Sequence, residues 1–353
     1  MRVVIADDET LLREGLARLL QDAGVDVTGK VATGEELLRR VELTNPDVAI
    51  VDIRMPPTHT DEGLVAAHRI REEHPETGVL VLSHHLESLP LFAEPPEREV
   101  YVDYRRWAFE SAALDLALRQ AGISLGGAVG REPQPVTFVA SGGLGDPPST
   151  ERLRAFLGLY PTLRFKLDAR PDWTDEIYDE LRRLQCVDSV DLKGQYSGTV
   201  VDNPPDPALY ARVLEEFPEA WIEDPALTPE TIPLLEPHAD RVTWDAVIHS
   251  VADIAALRWP PRTVNVKPSR FGSIERLFAA YDYCEAHGIG AYGGGQWELG
   301  IGRGHIQLLA ALFHPDTPND VAPVGYNATE PVPGLPTSPL AVTARATGFL
   351  GET

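Results

Sequence analysis

The sequence predicts an α/β protein in which a closed parallel (β/α) barrel follows a smaller parallel sheet. Three observations lead there. Residues 1–88 alternate short apolar runs with helix-like stretches. Eight further apolar runs begin at Val136, most of them separated by amphipathic helices. In both halves, several of these runs end on acidic residues, at the strand ends where parallel sheets carry their chemistry.

In the first half, Val3-Val4-Ile5 is a short apolar run ending in Asp7-Asp8. Leu11, Leu12, Gly15, Leu16, Leu19 and Leu20 then recur at helical spacing. A strand near 25–31, a helix near 35–43 and a strand 48–51 ending at Asp52 follow. A helix near 64–73 leads to the strand 79–82, which ends at Ser83. Residues 89–103 hold three prolines and break this rhythm, so they are expected to form a linker. A long helical pattern then runs from Tyr104 to about Gln120, with Gly122 as its stop.

The eight barrel strands are expected at 136–140, 163–167, 187–192, 220–222, 242–244, 264–266, 289–292 and 321–322. The domains are accordingly 1–88, the linker 89–103, a helical segment 104–135, the barrel 136–325 and a Pro/Gly-rich tail 326–353 that gives little to read.

A net charge of −23 argues against sequence-independent binding of nucleic acid and against an anionic membrane surface. Cys186 and Cys284 lie far apart with no metal-ligand spacing, and are expected to be reduced buried thiols. The N-terminus lacks an apolar signal region, and no apolar run has the length of a membrane helix, so a cytoplasmic location is expected.

Three successive barrel strands end in Asp191, Glu223 and Asp245. Neighbouring strands lie about 4.8 Å apart, so three such carboxylates could converge on one hard cation, Mg²⁺ rather than zinc. The bland alternative is three helix caps or surface acids, since strand-to-helix loops favour Asp. The flanking strands carry Lys166 and Lys267. A lysine inside an apolar strand is costly unless it is paired or used, and burial beside a cation would make it a general base. The alternative is that each lysine merely pairs with a carboxylate.

The runs TVNVKPSRFGS, GIGAYGGGQWELGIGRGHIQLLAALFHP and WIEDPAL resemble the muconate-lactonizing subgroup of the enolase superfamily, which also includes the mandelate racemases. The helix RRWAFESAALDLALRQAG resembles the last helix of that superfamily's capping domain, so 104–135 would be a remnant of it. The likeness covers about 104–325. It implies Mg²⁺ held by Asp191, Glu223 and Asp245, a small carboxylate substrate, and lysine-driven removal of its α-proton, as in a lyase, isomerase or racemase. Lys267 matches the strand-six lysine. Lys166 matches the second strand-two lysine if Arg164 replaces the first, and another register puts Asp168 there. Glu298 resembles a position near the substrate. Lys193 stands where the family usually has Asn, and Ala246 where it has an acid. The capping strands that would close over the site are absent, so turnover is expected to be impaired.

Residues 1–88 resemble the receiver domain of bacterial response regulators, a flavodoxin-like (CheY-like) parallel sheet. Asp7 and Asp8 fit its acidic pair, Asp52 its phosphoacceptor, Ser83 its hydroxyl position, and Met55-Pro56-Pro57 its following loop. The likeness implies a sensor histidine kinase as partner. The domain is truncated: no lysine occurs between Lys30 and Lys166 to contact a phosphoryl group. The alternative to an enzyme is therefore a phosphorelay regulator with the barrel as a non-catalytic ligand sensor. No basic helix-turn-helix follows, so DNA is not an expected partner. Barrels of this kind commonly form homo-oligomers.

Overall fold

The computed structural model describes residues 1–82, 96–196, 198, 201, 203–296 and 298–352. The chain divides into two units, 1–99 and 100–353.

In the first unit, β1 (Arg2–Ala6), α1 (Thr10–Asp22), β2 (Asp26–Val31), α2 (Gly34–Thr44), β3 (Val48–Asp52), α3 (Glu62–Glu73) and β4 (Gly78–Leu82) alternate. The strands pair in parallel in the order β2-β1-β3-β4. Successive strand residues face opposite sides, so the apolar runs feed two cores. Val4, Ala6, Ala49 and Val51 pack with Leu37, Val41 and Ile70 on one face. Val3, Ile5 and Ile50 pack with Ala17 on the other. Helix α2 is capped by Thr33, whose hydroxyl accepts from Glu36 N at 3.2 Å, while Glu36 reaches back to Ala32 N at 3.1 Å. Among the described residues β4 is an edge, and its Leu80 and Val81 are partly exposed.

The second unit opens with α4 (Tyr101–Ala121) and the short α5 (Leu125–Val129). Helix α4 begins inside the stretch expected to be linker. It is tied to the barrel by Asp103 with Arg276 and by Glu110, which accepts from Ile274 N at 2.7 Å. Barrel units follow: β5 (Ala140–Gly142), α6 (Glu151–Leu159), β6 (Phe165–Asp168), α7 (Asp175–Leu184), β7 (Val187–Asp191), α8 (Pro207–Glu216), β8 (Trp221–Glu223), α9 (Ile232–Leu235), β9 (Val242–Thr243), α10 (Val251–Ala255), β10 (Thr263–Val266), α11 (Pro268–Phe271), α12 (Ile274–His287), β11 (Gly290–Gly293) and α13 (Ile301–Phe313).

β5 to β9 form a five-stranded parallel sheet and β10 with β11 a separate parallel pair. The ring closes through single backbone bonds: Asn265 N to Trp244 O at 2.9 Å on one side, and Asp320 N to Gly293 O at 2.8 Å on the other. The side chains of Thr243, donating to Thr263 O at 2.9 Å, and Asn319, accepting from Gly293 N at 2.6 Å, reinforce these joints.

The structure corrects two expectations. The eighth segment, 321–322, is not a strand. Its rung is supplied by Asn319, whose backbone pairs with Thr137 and Val139, and Pro323 cannot donate to a longer ladder. The first strand likewise starts late, at Ala140, because Val136 pairs antiparallel with Leu340 of the tail. That tail is structural: Tyr326, Leu340, Val342 and Phe349 are buried in the barrel core, and β12 (Thr343–Ala344) pairs with β13 (Gly351–Glu352).

Candidate acid–base site at the barrel mouth

Register builds the site. Asp168, Asp191 and Glu223 are paired across β6, β7 and β8, so their carboxylates form one row at the C-terminal ends. Asp245 follows β9 at the same end. Lys166 lies two residues before Asp168 and therefore on the same face, inside the barrel, with its side chain 3% exposed. Arg164 pairs instead with Asp188 at 2.5 Å, both partly exposed, so Lys166 is the inward lysine of this strand.

Asp191, Glu223 and Asp245 are all buried, and each carboxylate oxygen meets donors from the chain itself. Asp191 Oδ1 accepts from Lys193 N at 2.9 Å, and its Oδ2 lies 2.5 Å from Lys193 Nζ and 3.5 Å from Lys166 Nζ. Glu223 Oε1 accepts from Asn265 Nδ2 at 3.2 Å and from the Tyr292 hydroxyl, and its Oε2 is against Lys166 Nζ. Asp245 Oδ1 lies 2.8 Å from an Arg270 nitrogen. Its Oδ2 lies 2.8 Å from Lys267 Nζ, 3.0 Å from the Tyr196 hydroxyl and 3.3 Å from Arg270. Asp224 plays a different part. Its two oxygens accept from Asp245 N and Ala246 N, both at 2.8 Å, which fixes the turn after β9.

The electrostatics follow from burial and these partners. Burial disfavours the Lys166 ammonium, but Glu223 and Asp191 outweigh it and hold the group well above the usual lysine range. Lys193 is held up the same way, against burial, chiefly by Asp191. Burial would raise Asp245, yet Arg270 and Lys267 keep it well below the ordinary carboxylate range. Glu223 and Asp224 carry the excess of acid: burial pushes them up to about 8 and about 7.

Glu298 lies beyond β11. Its Oε1 accepts from Ser269 Oγ at 3.0 Å, next but one to Lys267, and its buried Oε2 has no hydrogen-bond partner among the described residues. Gly294 and Gly295 leave the room: a Cβ would come 2.9 Å from Lys267 Cε at the first and 2.2 Å from Glu298 Oε2 at the second. Arg270, Tyr196, Tyr292 and Asn265 also belong to the site, and the sequence alone does not single them out. Asn265 carries a signal, being a polar side chain two residues before Lys267 in an apolar strand. Arg270 lies one helical turn beyond Lys267, in α11.

The donor chemistry of three carboxylates suits Mg²⁺. Their arrangement does not, because each carboxylate is ion-paired to a lysine or arginine of the chain; Glu223 Oε2 makes no hydrogen bond among the described residues but lies against Lys166 Nζ. Among the described residues no group of three or more His, Cys, Asp or Glu side chains is gathered to hold a metal.

In the first unit Asp7 and Asp52 are buried at the ends of β1 and β3, and Asp8 lies 3.3 Å from His59. Asp52 Oδ2 accepts from Arg54 N at 3.2 Å. A Cβ on Gly63 would stand 1.8 Å from the Asp52 carbonyl, so the start of α3 presses directly on that strand end. Ser83 lies outside the described residues.

Comparison with known proteins places both halves. Residues 3–91 match the response regulator receiver domain. The oxygen regulatory protein NreC of Staphylococcus haemolyticus is 38% identical over 84 residues, which are 24% of this chain and 38% of that protein. Response regulator GacA of Pseudomonas viridiflava is 34% identical over the same length and the same shares. The chain thus spans well under half of these curated relatives. A solved structure from Enterococcus faecalis V583, described as an unknown member of the enolase superfamily, superposes with a TM-score of 0.51. It is 21% identical and covers 74% of this chain and 71% of its own. The barrel therefore has the enolase-superfamily fold and is preceded in the chain by a receiver domain. Residues 57–128 and 132–328 match the N-terminal and C-terminal domains of a family described as a domain of unknown function, DUF8230. The second match alone takes in more than half of the chain, which therefore belongs to the DUF8230 family.

Proposed function

We propose that the barrel mouth is an acid–base site that moves a proton at the carbon next to the carboxylate of a small acid, as a lyase or isomerase does. The observation that carries this reading is the approach of Lys166 and Lys267 to one row of carboxylates from two different sheets. Lys166 sits between Glu223 and Asp191 and is held as the ammonium, a fixed positive charge facing the acidic row. Lys267 pairs with Asp245, which it shares with Arg270 and Tyr196, and we assign it as the base. Glu298, through Ser269, steadies the segment that carries Lys267. Magnesium is expected from the superfamily likeness, but the carboxylates as arranged do not fit it, and no step is assigned to it.

The test is α-proton exchange in D₂O, followed by NMR over a panel of small carboxylic acids. Exchange by the wild-type chain that falls at least ~100-fold in Lys267→Ala supports the reading. Exchange that survives this substitution removes Lys267 as the base. No exchange with any acid, together with saturable binding of one, would favour a non-catalytic ligand-binding barrel, for which the firm pairing of Lys166 already speaks.

A further inference from the structure

We infer that this barrel site takes no divalent cation, and that Lys193, an ammonium built into the chain, stands where such an ion would bind and meets the substrate carboxylate. The second half of this inference rests on the function proposed above; the first half does not.

Composition gives the first indication. Of 31 basic side chains in the chain only four are lysine, and Lys166, Lys193 and Lys267 are three of them. A chain that otherwise uses arginine almost throughout places three compact ammonium groups around one acidic row. An ammonium is a point charge with three donors, closer to a metal ion in its demands than the planar fork of arginine.

Lys193 is locked in place from several directions. Its backbone is left-handed (φ 55°), a costly conformation for a residue with a side chain. That turn folds residue 193 back over Asp191, so that its N–H takes one oxygen and its Nζ the other. The next residue must be glycine: a Cβ on Gly194 would stand 2.3 Å from Ala226 N and 2.7 Å from the Tyr210 hydroxyl. The Lys193 ammonium also lies 3.3 Å from Asp168 Oδ1 and 5.3 Å from the centre of the Tyr196 ring. Two carboxylates and an aromatic face enclose it.

The acidic row is, moreover, ion-paired with cations of the chain itself. Binding a cation through Asp191, Glu223 and Asp245 would require displacing Lys193, Lys166, Lys267 and Arg270 from buried ion pairs, which would leave Lys193 with Asp168 alone and take from the other three the carboxylates they hold. Of these four cations Lys193 is the most open to solvent, with its side chain 20% exposed against 3%, 9% and 4% for Lys166, Lys267 and Arg270. An incoming carboxylate meets it first.

The test is Mn²⁺ titration by EPR and calorimetry on the full chain carrying Asp8→Asn and Asp52→Asn, so that the receiver's acidic pocket does not contribute. The expected result is no stoichiometric site up to millimolar Mn²⁺, and a gain in affinity of at least tenfold on adding Lys193→Asn, lost again with Glu223→Gln. Submillimolar binding before Lys193 is changed, abolished by Glu223→Gln, overturns the inference. So does a Lys193→Asn chain that gains nothing. Proton exchange, if found, should persist in EDTA and weaken in Lys193→Asn through KM rather than kcat. If no acid exchanges, the proposed reaction fails while the titration still decides the cation question.

Discussion

Replacing Arg270 by methionine should destabilise the barrel unit strongly, because it strips a buried carboxylate of its main partner. Arg270 is 3% exposed and Asp245 is 1% exposed. The guanidinium holds both carboxylate oxygens, at 2.8 and 3.3 Å, and also the Asp245 carbonyl and the Tyr196 hydroxyl. Removing one partner of a buried pair costs about 3–5 kcal/mol. Lys267 and Tyr196 remain on Asp245 Oδ2, which places the expected loss near the lower end, about 3 kcal/mol. For a unit of this size that corresponds to a fall in Tm of roughly 6–12 °C, readable by calorimetry at pH 7. The sign with pH follows from Asp245, whose folded-state pKa is depressed. Its stabilisation is present above the unfolded value near 4 and is lost only as pH falls through the lower folded value. The part of the penalty that comes from Asp245 should therefore be constant between pH 5 and 8. A double-mutant cycle with Asp245→Asn should return a coupling above about 1 kcal/mol. A Tm change under about 2 °C, or a coupling near zero, would refute the claim that Arg270 is the main partner of the buried Asp245 carboxylate.

Two further outcomes are expected. Acetyl phosphate should label Asp52, with the label absent in Asp52→Ala. Any proton exchange found in the barrel should be indifferent to labelling, since no lysine between positions 30 and 166 is available to read the phosphoryl group; a changed rate would contradict this. His305, stacked on Phe349 at 4.1 Å, has its pKa lowered by burial to about 4. The neutral ring is the form that fits, so stability is full above about pH 6.5 and declines towards pH 4, by at most about 3 kcal/mol from this group. His305→Phe keeps the stack and should flatten that decline in melts taken between pH 7 and pH 4.5; an unchanged slope would place the acid sensitivity elsewhere.

Much of this arrangement is legible in the chain. Period-two alternation puts Val3 and Ile5 against Val4 and Ala6, and the parallel rhythm puts Asp52, Asp191 and Glu223 at strand ends. What escapes are features that depend on contacts across the barrel. The rung at Asn319 is made partly by a side chain and has no apolar run to announce it. The Pro/Gly-rich tail gives little to read, yet Tyr326 packs among Phe138, Phe156 and Tyr160 with ring centres 5.2–5.9 Å away. Lys193 is visible as a departure from the superfamily pattern. Its effect depends on a left-handed turn and on the close approach of Gly194 to Ala226, which no spacing in the sequence reveals.

The barrel's two sheets divide the labour of the site. Asp168, Asp191 and Glu223 belong to the five-stranded sheet, with Asp245 just past its last strand. Lys267 and Glu298 follow the strands of the separate pair β10–β11. The distance between the candidate base and its acidic row is thus set at two seams, each a single main-chain bond braced by Thr243 or Asn319. Substitutions along those seams can retune how closely the lysine approaches without touching any group that carries charge. The reactivity of such a barrel can therefore drift through residues that never meet a substrate.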